Sequence, residues 1–353
     1  MTKISSAPII GVDLGDRKHA VCVLSQDGEL LEESKIGTTR ESLALFSQKY
    51  PEATIAMEVG MMSPWTSRYL EERNHRVIVA NSRKLRAIYK NPRKCDRKDA
   101  EMLARLARVD ETLLGPIKHG SEEAQRDLLQ LKLRDNLVRQ RVNIISSVRF
   151  SLKSLSVKTR SPKTSYFAAY VRRELMKENE ELLSFIEPSL EVLDAITAQV
   201  KELDKRITEL AAIKYPETAY LTQITGVGAL TALTFVLTIE DPSRFAKGRD
   251  VGAYLGLVPK RDQSGELDKQ LRITKAGDSY LRRLLVGAAQ YILGPFGKDC
   301  DLKRHGVELA ERGGARAKKK AVIAIARKLS VLLLTLWKNK SAYQVLKNQP
   351  QAA

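Results

Sequence analysis

Pro8-Ile-Ile-Gly-Val-Asp13 reads as a short buried strand: three β-branched residues, a glycine, and a carboxylate at the end where the chain leaves the sheet. Working outward from it, Ala20 to Leu24 supplies a second apolar run that pairs with the first. Gln26-Asp27-Gly28 is the turn to a third strand, Leu30 to Ile36. Thr39 to Lys49 carries helical spacing behind a threonine cap, Thr38 or Thr39. A strand recurs in Ala53-Thr-Ile-Ala-Met-Glu58, again closed by a carboxylate. A helix over Pro64 to Arg73, a strand over Arg76 to Ala80, and helices from Ser82 and from Asp96 complete the region. Three strands in a meander followed by alternating strands and helices predict a mixed α/β sheet.

That layout is the one of a ribonuclease-H-like domain, the RuvC type among others. Asp13 and Glu58 end two of its strands, and Asp96 and Asp99 lie three apart at the start of a helix, on one face. Carboxylates so placed are what a divalent-metal phosphodiester site requires. Hard oxygen ligands suit Mg²⁺, and one or two ions clamp the attacking and leaving oxygens of an in-line displacement.

The charge balance points to the partner. The 353 residues carry a formal net charge of +18, and residues 214–353, with 24 basic and 12 acidic side chains, supply +12 of it. A second basic patch runs through Arg83, Lys84, Arg86, Lys90, Arg93, Lys94, Arg97 and Lys98. Such asymmetry favours a polyanion through counterion release. The low aromatic share, 6%, argues against base stacking as the main binding device. Three cysteines and four histidines show no zinc-like spacing, and no G-x-x-x-x-G-K-[ST] segment is present. The longest apolar segment, Ala321 to Trp337, is interrupted by Arg327-Lys328 and no export signal is evident, so a cytoplasmic, nucleoid-associated protein without a membrane partner is expected.

Ser121 to Ile213 is helical, charged and poor in glycine, with leucines, valines and isoleucines every three or four residues and a break around Pro162. Two long amphipathic helices that fold back on each other, or pair with another chain, fit this coiled-coil-like middle. The third part opens with Leu221-Thr-Gln-Ile-Thr-Gly-Val-Gly-Ala-Leu230, a helix-hairpin-helix pattern whose Gly226 and Gly228 admit a phosphate or serve a tight helix–helix turn. A basic helical region over Lys269 to Val286 and a final apolar helix ending near Trp337 complete a mainly α C-terminal domain. The expected divisions are 1–118, 119–213 and 214–353.

Together these residues resemble the Asp-Glu-Asp-Asp insertion-sequence transposases of the IS one-ten family, whose characterised members are RNA-guided bridge recombinases. The resemblance rests on Gly11-Val-Asp-Leu-Gly-Asp-Arg-Lys-His19, Glu58-Val-Gly60 and Lys94-Cys-Asp-Arg-Lys-Asp-Ala100. It continues in Ile224-Thr-Gly-Val-Gly228, Asp241-Pro-Ser-Arg-Phe245, Tyr254-Leu-Gly-Leu-Val-Pro259, Gln263-Ser-Gly265 and Ile273 to Leu284. It implies that Asp13, Glu58, Asp96 and Asp99 are RuvC-like metal ligands and that Ser264 attacks DNA to form a covalent phosphoserine. Many relatives show Ser-Ser-Gly where this chain has Gln263-Ser264-Gly265, so no neighbouring hydroxyl can substitute. The implied partners are donor and target DNA, a structured bridge RNA, and further copies of the chain in a dimer or tetramer with composite active sites. Lys260, Arg261, Lys269, Arg272 and Lys275 are placed to neutralise phosphate. Two alternatives stay open: a metal-dependent structure-specific endonuclease of the Holliday-junction kind, and a non-catalytic nucleic-acid-binding relative.

Overall fold

Alternation along the strands organises the N-terminal part. The computed structural model describes residues 7–85, 95–159, 163–265, 267–314 and 316–346. Strands β1 (Ile9–Asp13), β2 (Lys18–Leu24) and β3 (Leu30–Gly37) form an antiparallel meander, while β4 (Thr54–Glu58) and β5 (Arg76–Ala80) run parallel to β1. The sheet order is β3-β2-β1-β4-β5, so β1 is central. Helix α1 (Arg40–Lys49) starts at Thr39, whose hydroxyl accepts from the Ser42 amide, and α2 (Ser63–Glu71) links β4 to β5. On one face Ile10, Val12, Val21, Val23, Ile55 and Met57 pack with Phe46 of α1 and Leu70 of α2. On the other, Ala20, Cys22 and Leu24 pack on Ala100 and Ala104 of α3 (Asp96–Val109), and Ala56 and Ile78 join Leu103. The meander, the parallel strands and the helices at Arg40, Ser63 and Asp96 agree with the order of elements expected from sequence, whereas Ser82 to Lys84 form a turn and the rest of the helix expected from Ser82 lies outside the described residues.

Gly11 explains how α3 lies so close to the sheet. A Cβ at Gly11 would stand 1.9 Å from the Ala100 carbonyl oxygen and 2.7 Å from the Ala104 nitrogen, both backbone atoms that cannot swing away. Gly11→Ala is therefore expected to cost about 3 kcal/mol, the upper part of the overpacking range, read as a lower Tm of the N-terminal unit. An unchanged Tm would mean that α3 packs elsewhere.

Contacts divide the chain into two units, Met1–Glu122 and Glu123–Ala353. In the second, α4 (Glu122–Ser154) and α6 (Glu180–Ile213) run antiparallel, with α5 (Phe167–Glu178) packed on them at the far end. Lys214 pairs with Glu123 and Asp127 at one end of the hairpin. Arg134 meets Asp204 further along, and Ile145 and Leu152 pack with Leu183 and Leu193 beyond that. This is the folded-back helix pair anticipated for the middle of the chain. Its base, with Leu131 and Ile207, packs on Leu233, Leu237 and Tyr280 of the C-terminal part.

The remaining elements are α7 (Thr218–Thr222), α8 (Ala229–Ile239), α9 (Asp250–Tyr254), β6 (Pro259–Ser264), β7 (Leu267–Ile273), α10 (Ser279–Leu293), α11 (Asp301–Glu311) and α12 (Ala317–Asn339). Their core centres on α12, whose Ile325, Leu329 and Leu333 are fully buried with Phe235 and Leu285. One expectation fails here. Lys269 to Val286 is not continuous helix: its start belongs to β7, paired antiparallel with β6, and helix begins only at Ser279, capped by Asp278. Among the described residues no helix is long and apolar enough to cross a membrane.

Candidate active site and nucleic-acid interface

The four acids gather at one end of the N-terminal sheet. Gly11 and Ala56 face α3, so Asp13 and Glu58, each two residues further along its strand, face the same way. Val12 pairs with Met57 in the parallel ladder, which makes Asp13 and Glu58 neighbours at the carboxyl ends of adjacent strands. Helix α3 runs antiparallel to β1. At its C-terminal end Arg108 donates to the Gln26 carbonyl (3.4 Å), just beyond Leu24, and Leu24 pairs with Ile9 at the start of β1. The first turn of α3, with Asp96 and Asp99, therefore sits at the Asp13 end. Asp99 is only 9% exposed, Asp13 and Glu58 are half-buried, and Asp96 is open to solvent. Asp13, Glu58 and Asp99 are each engaged by another polar or charged group.

Oxygen donors gathered this way fit a hard divalent cation. Among the described residues no three histidine, cysteine, aspartate or glutamate side chains are grouped closely enough to hold an ion as placed; Asp13, Glu58, Asp96 and Asp99 are the oxygen donors that would hold one.

A further pair near Glu58 escaped the sequence reading. Ser63, the first residue of α2, accepts from the Gly60 amide (3.0 Å), lies 2.8 Å from the Gly60 carbonyl oxygen and 2.9 Å from His119 Nε2. Burial, with a smaller contribution from Arg68, holds the His119 pKa below the usual imidazole value. Through Ser63 the His119 ring buttresses the loop that leaves Glu58. The only signal in the sequence was a serine just after the strand end, because His119 lies far along the chain.

Ser264 belongs to the second unit. It closes β6 opposite Leu267, is exposed, and precedes Gly265, which has φ +57° and open space where a Cβ would stand. Lys260 and Arg261 lie on the exposed β6, Arg272 on β7, and Lys275 in the turn that follows. Gly226, at φ +94°, makes the turn before α8 and lies against Tyr291, while Gly228 caps α8 without a side chain. No side chain caps the first amides of α8. In the first unit Arg83, Lys84 and Lys98 are exposed, and Arg97 pairs with Glu33 at 2.8 Å. Arg86, Lys90, Arg93 and Lys94 of the same patch lie outside the described residues, as does the Lys269 side chain.

Comparison with known proteins gives matches over both units. Residues 10–156 match the DEDD transposase model, described as "Transposase", and residues 218–297 match the model described as "Transposase IS116/IS110/IS902 family". The transposase for insertion sequence element IS1111A of Coxiella burnetii is 26% identical over 345 residues, 95% of this chain and 91% of that protein. The transposase for insertion sequence element IS1328 of Yersinia enterocolitica is 26% identical over 290 residues, 80% of this chain and 83% of the other. A pilin gene-inverting protein of Moraxella lacunata is 30% identical over 167 residues, 45% of this chain and 50% of that protein.

Proposed function

Because the chain belongs to the IS116/IS110/IS902 transposase family, in which the DEDD domain uses divalent metal, we propose that it cuts and rejoins the donor and target DNA of an insertion sequence. In this reading Asp13, Glu58, Asp96 and Asp99 hold one or two Mg²⁺ ions and Ser264 is the nucleophile. The observation that carries it is the convergence of Asp13 and Glu58, on one face of adjacent strand ends, with the first turn of α3. Bound there, a divalent ion supplies positive charge for the transferring phosphate and lowers the pKa of an attacking hydroxyl.

The remaining steps belong to the protein. Ser264 gives up its hydroxyl proton as Oγ bonds to phosphorus. The bond from phosphorus to the leaving sugar oxygen breaks, and that oxygen takes up a proton. The phosphodiester energy stays in the serine ester, so rejoining needs no nucleotide: a new sugar hydroxyl attacks and serine leaves. Lys260, Arg261, Arg272 and Lys275 neutralise phosphate charge around the β6–β7 hairpin. The Gly226–Gly228 turn acts as the phosphate contact of a helix-hairpin-helix.

Purified protein mixed with DNA carrying the element ends is expected to give a detergent-resistant protein–DNA adduct that disappears on chelation and returns with Mg²⁺. Cleavage without adduct would favour the hydrolytic endonuclease.

The exposed cations Arg83, Lys84 and Lys98, in a chain with few aromatics, support a grip on a structured bridge RNA through backbone and shape. Exposed Leu129, Leu133, Phe150 and Phe185 on the long helices support assembly into a dimer or tetramer. RNA is expected to copurify, with affinity falling about 10³-fold between 50 and 200 mM salt if six phosphates are contacted. Protein that carries no RNA and bridges none to DNA would leave a transposase that works unguided.

A further inference from the structure

A cavity of about 1700 Å³ opens in the second unit between α11, α12 and the base of the β6–β7 hairpin. It exceeds the roughly 300–1,000 Å³ of small-molecule clefts. Its wall is basic in a way that packing does not explain. Arg316, Lys319, Lys320, Arg327 and Lys328 lie along one side of α12, and Arg272 joins them from β7. None of these six forms an ion pair with a described residue. The carboxylates of the lining are Asp301, at the start of α11, and Glu308, which faces His305 at 3.8 Å. Between the cations the floor is aliphatic: Ile323, Ala324, Val331 and Leu332 are half-buried, and Leu271 of β7 is 49% exposed.

Uncompensated cations in a concave wall repel one another and are kept where a polyanion supplies the missing charge. A duplex offers phosphates but hides its base faces, so it leaves the aliphatic floor wet. A single strand offers both phosphates and open bases, and the cavity suits the short end of single-strand sites, roughly 4–16 nucleotides. The groove is continuous with the base of the hairpin whose turn carries Ser264, since Pro259, Arg272 and Ile273 line it.

We propose that this groove binds a single strand of DNA, with phosphates on the α12 and β7 cations and bases against the aliphatic floor, and so holds one strand in an opened duplex beside the hairpin. The inference rests on the transposase reading, but its test does not depend on strand exchange. The full-length protein is titrated into a fluorescent 12-nucleotide oligo(dT), the same-length duplex and oligo(rU), without metal and at several salt concentrations. Lys320→Ala/Lys328→Ala, both exposed, is expected to weaken oligo(dT) binding at least tenfold. It should also flatten the plot of log affinity against log salt by about 1.4, the value for two lost single-strand phosphate contacts. Leu271→Ser is expected to weaken oligo(dT) about threefold with the slope unchanged. A double variant that melts like wild type yet keeps its slope overturns the site, as does an equal loss on the duplex. Oligo(rU) bound as tightly as oligo(dT) overturns the choice of DNA. A wild type that shows these binding properties but exchanges no strands would refute the transposase reading and leave the groove assigned.

Discussion

Asp99→Asn is expected to lower strand cleavage at least about 10³-fold while leaving DNA binding and the fold in place. Asp99 is the most buried of the four acids, and it sits in the first turn of α3 at the end of the sheet where Asp13 and Glu58 emerge. Asparagine keeps the volume and one oxygen but loses the charge that a divalent ion requires. Metal assistance is worth several kcal/mol of transition-state stabilisation, and every 1.36 kcal/mol is tenfold in rate. The stability cost is far smaller. A carboxylate in the first turn of a helix contributes about 0.3–1 kcal/mol through the helix dipole, so Tm should fall little. Cleavage kinetics and a melting curve on the same sample separate the two effects. Cleavage within tenfold of wild type would remove Asp99 from the metal site, and a collapse of Tm would make its role structural.

The sequence exposed the N-terminal sheet because burial on both faces of β1 and β4 demands runs such as Ile9-Ile-Gly-Val12, and because turn residues separate the meander strands. Gly28, at φ +90° between β2 and β3, is the kind of residue that such a turn requires. It also exposed the long helix pair, where Leu131, Leu190 and Leu193 hold the spacing of a buried stripe. The β6–β7 hairpin was not legible. Every residue of Pro259–Ser264 is exposed, so no buried face imposes alternation, and the polar, basic composition there looks equally like loop or surface helix. Nor was the close approach of α3 legible, because one glycine in a strand has many readings and only the Ala100 and Ala104 backbone reveals this one. The four acids can be named from the sequence as candidate ligands. Their shared end of the sheet follows from the direction of α3, which Arg108 and Gln26 fix from opposite ends of the unit's sequence.

Ser264→Ala is expected to remove the protein–DNA adduct and lower strand cleavage at least about 10⁴-fold, as nucleophile removal does elsewhere, with both nucleic acids still bound. The hairpin makes this a clean test. Ser264 is exposed at the end of β6, and the space beyond Gly265 is open, so losing the hydroxyl should change stability by no more than about 0.5 kcal/mol. Ser264→Cys should retain a trace of activity, because thiolate is a competent nucleophile that pairs poorly with Mg²⁺. The other hydroxyl worth weighing is Tyr280, and its setting argues against it. It is 6% exposed, its oxygen has no hydrogen-bond partner among the described residues, and burial, with Asp135 nearby, pushes its pKa up to about 12. A phenol held that firmly in its protonated form, inside a core with Leu131 and Leu233, cannot reach a phosphodiester without unpacking the base of the long helices. Peptide mapping of the adduct decides between them: label on the peptide containing Ser264 is the expected result, and label on Tyr280, or undiminished cleavage by Ser264→Ala, would discard serine as the nucleophile.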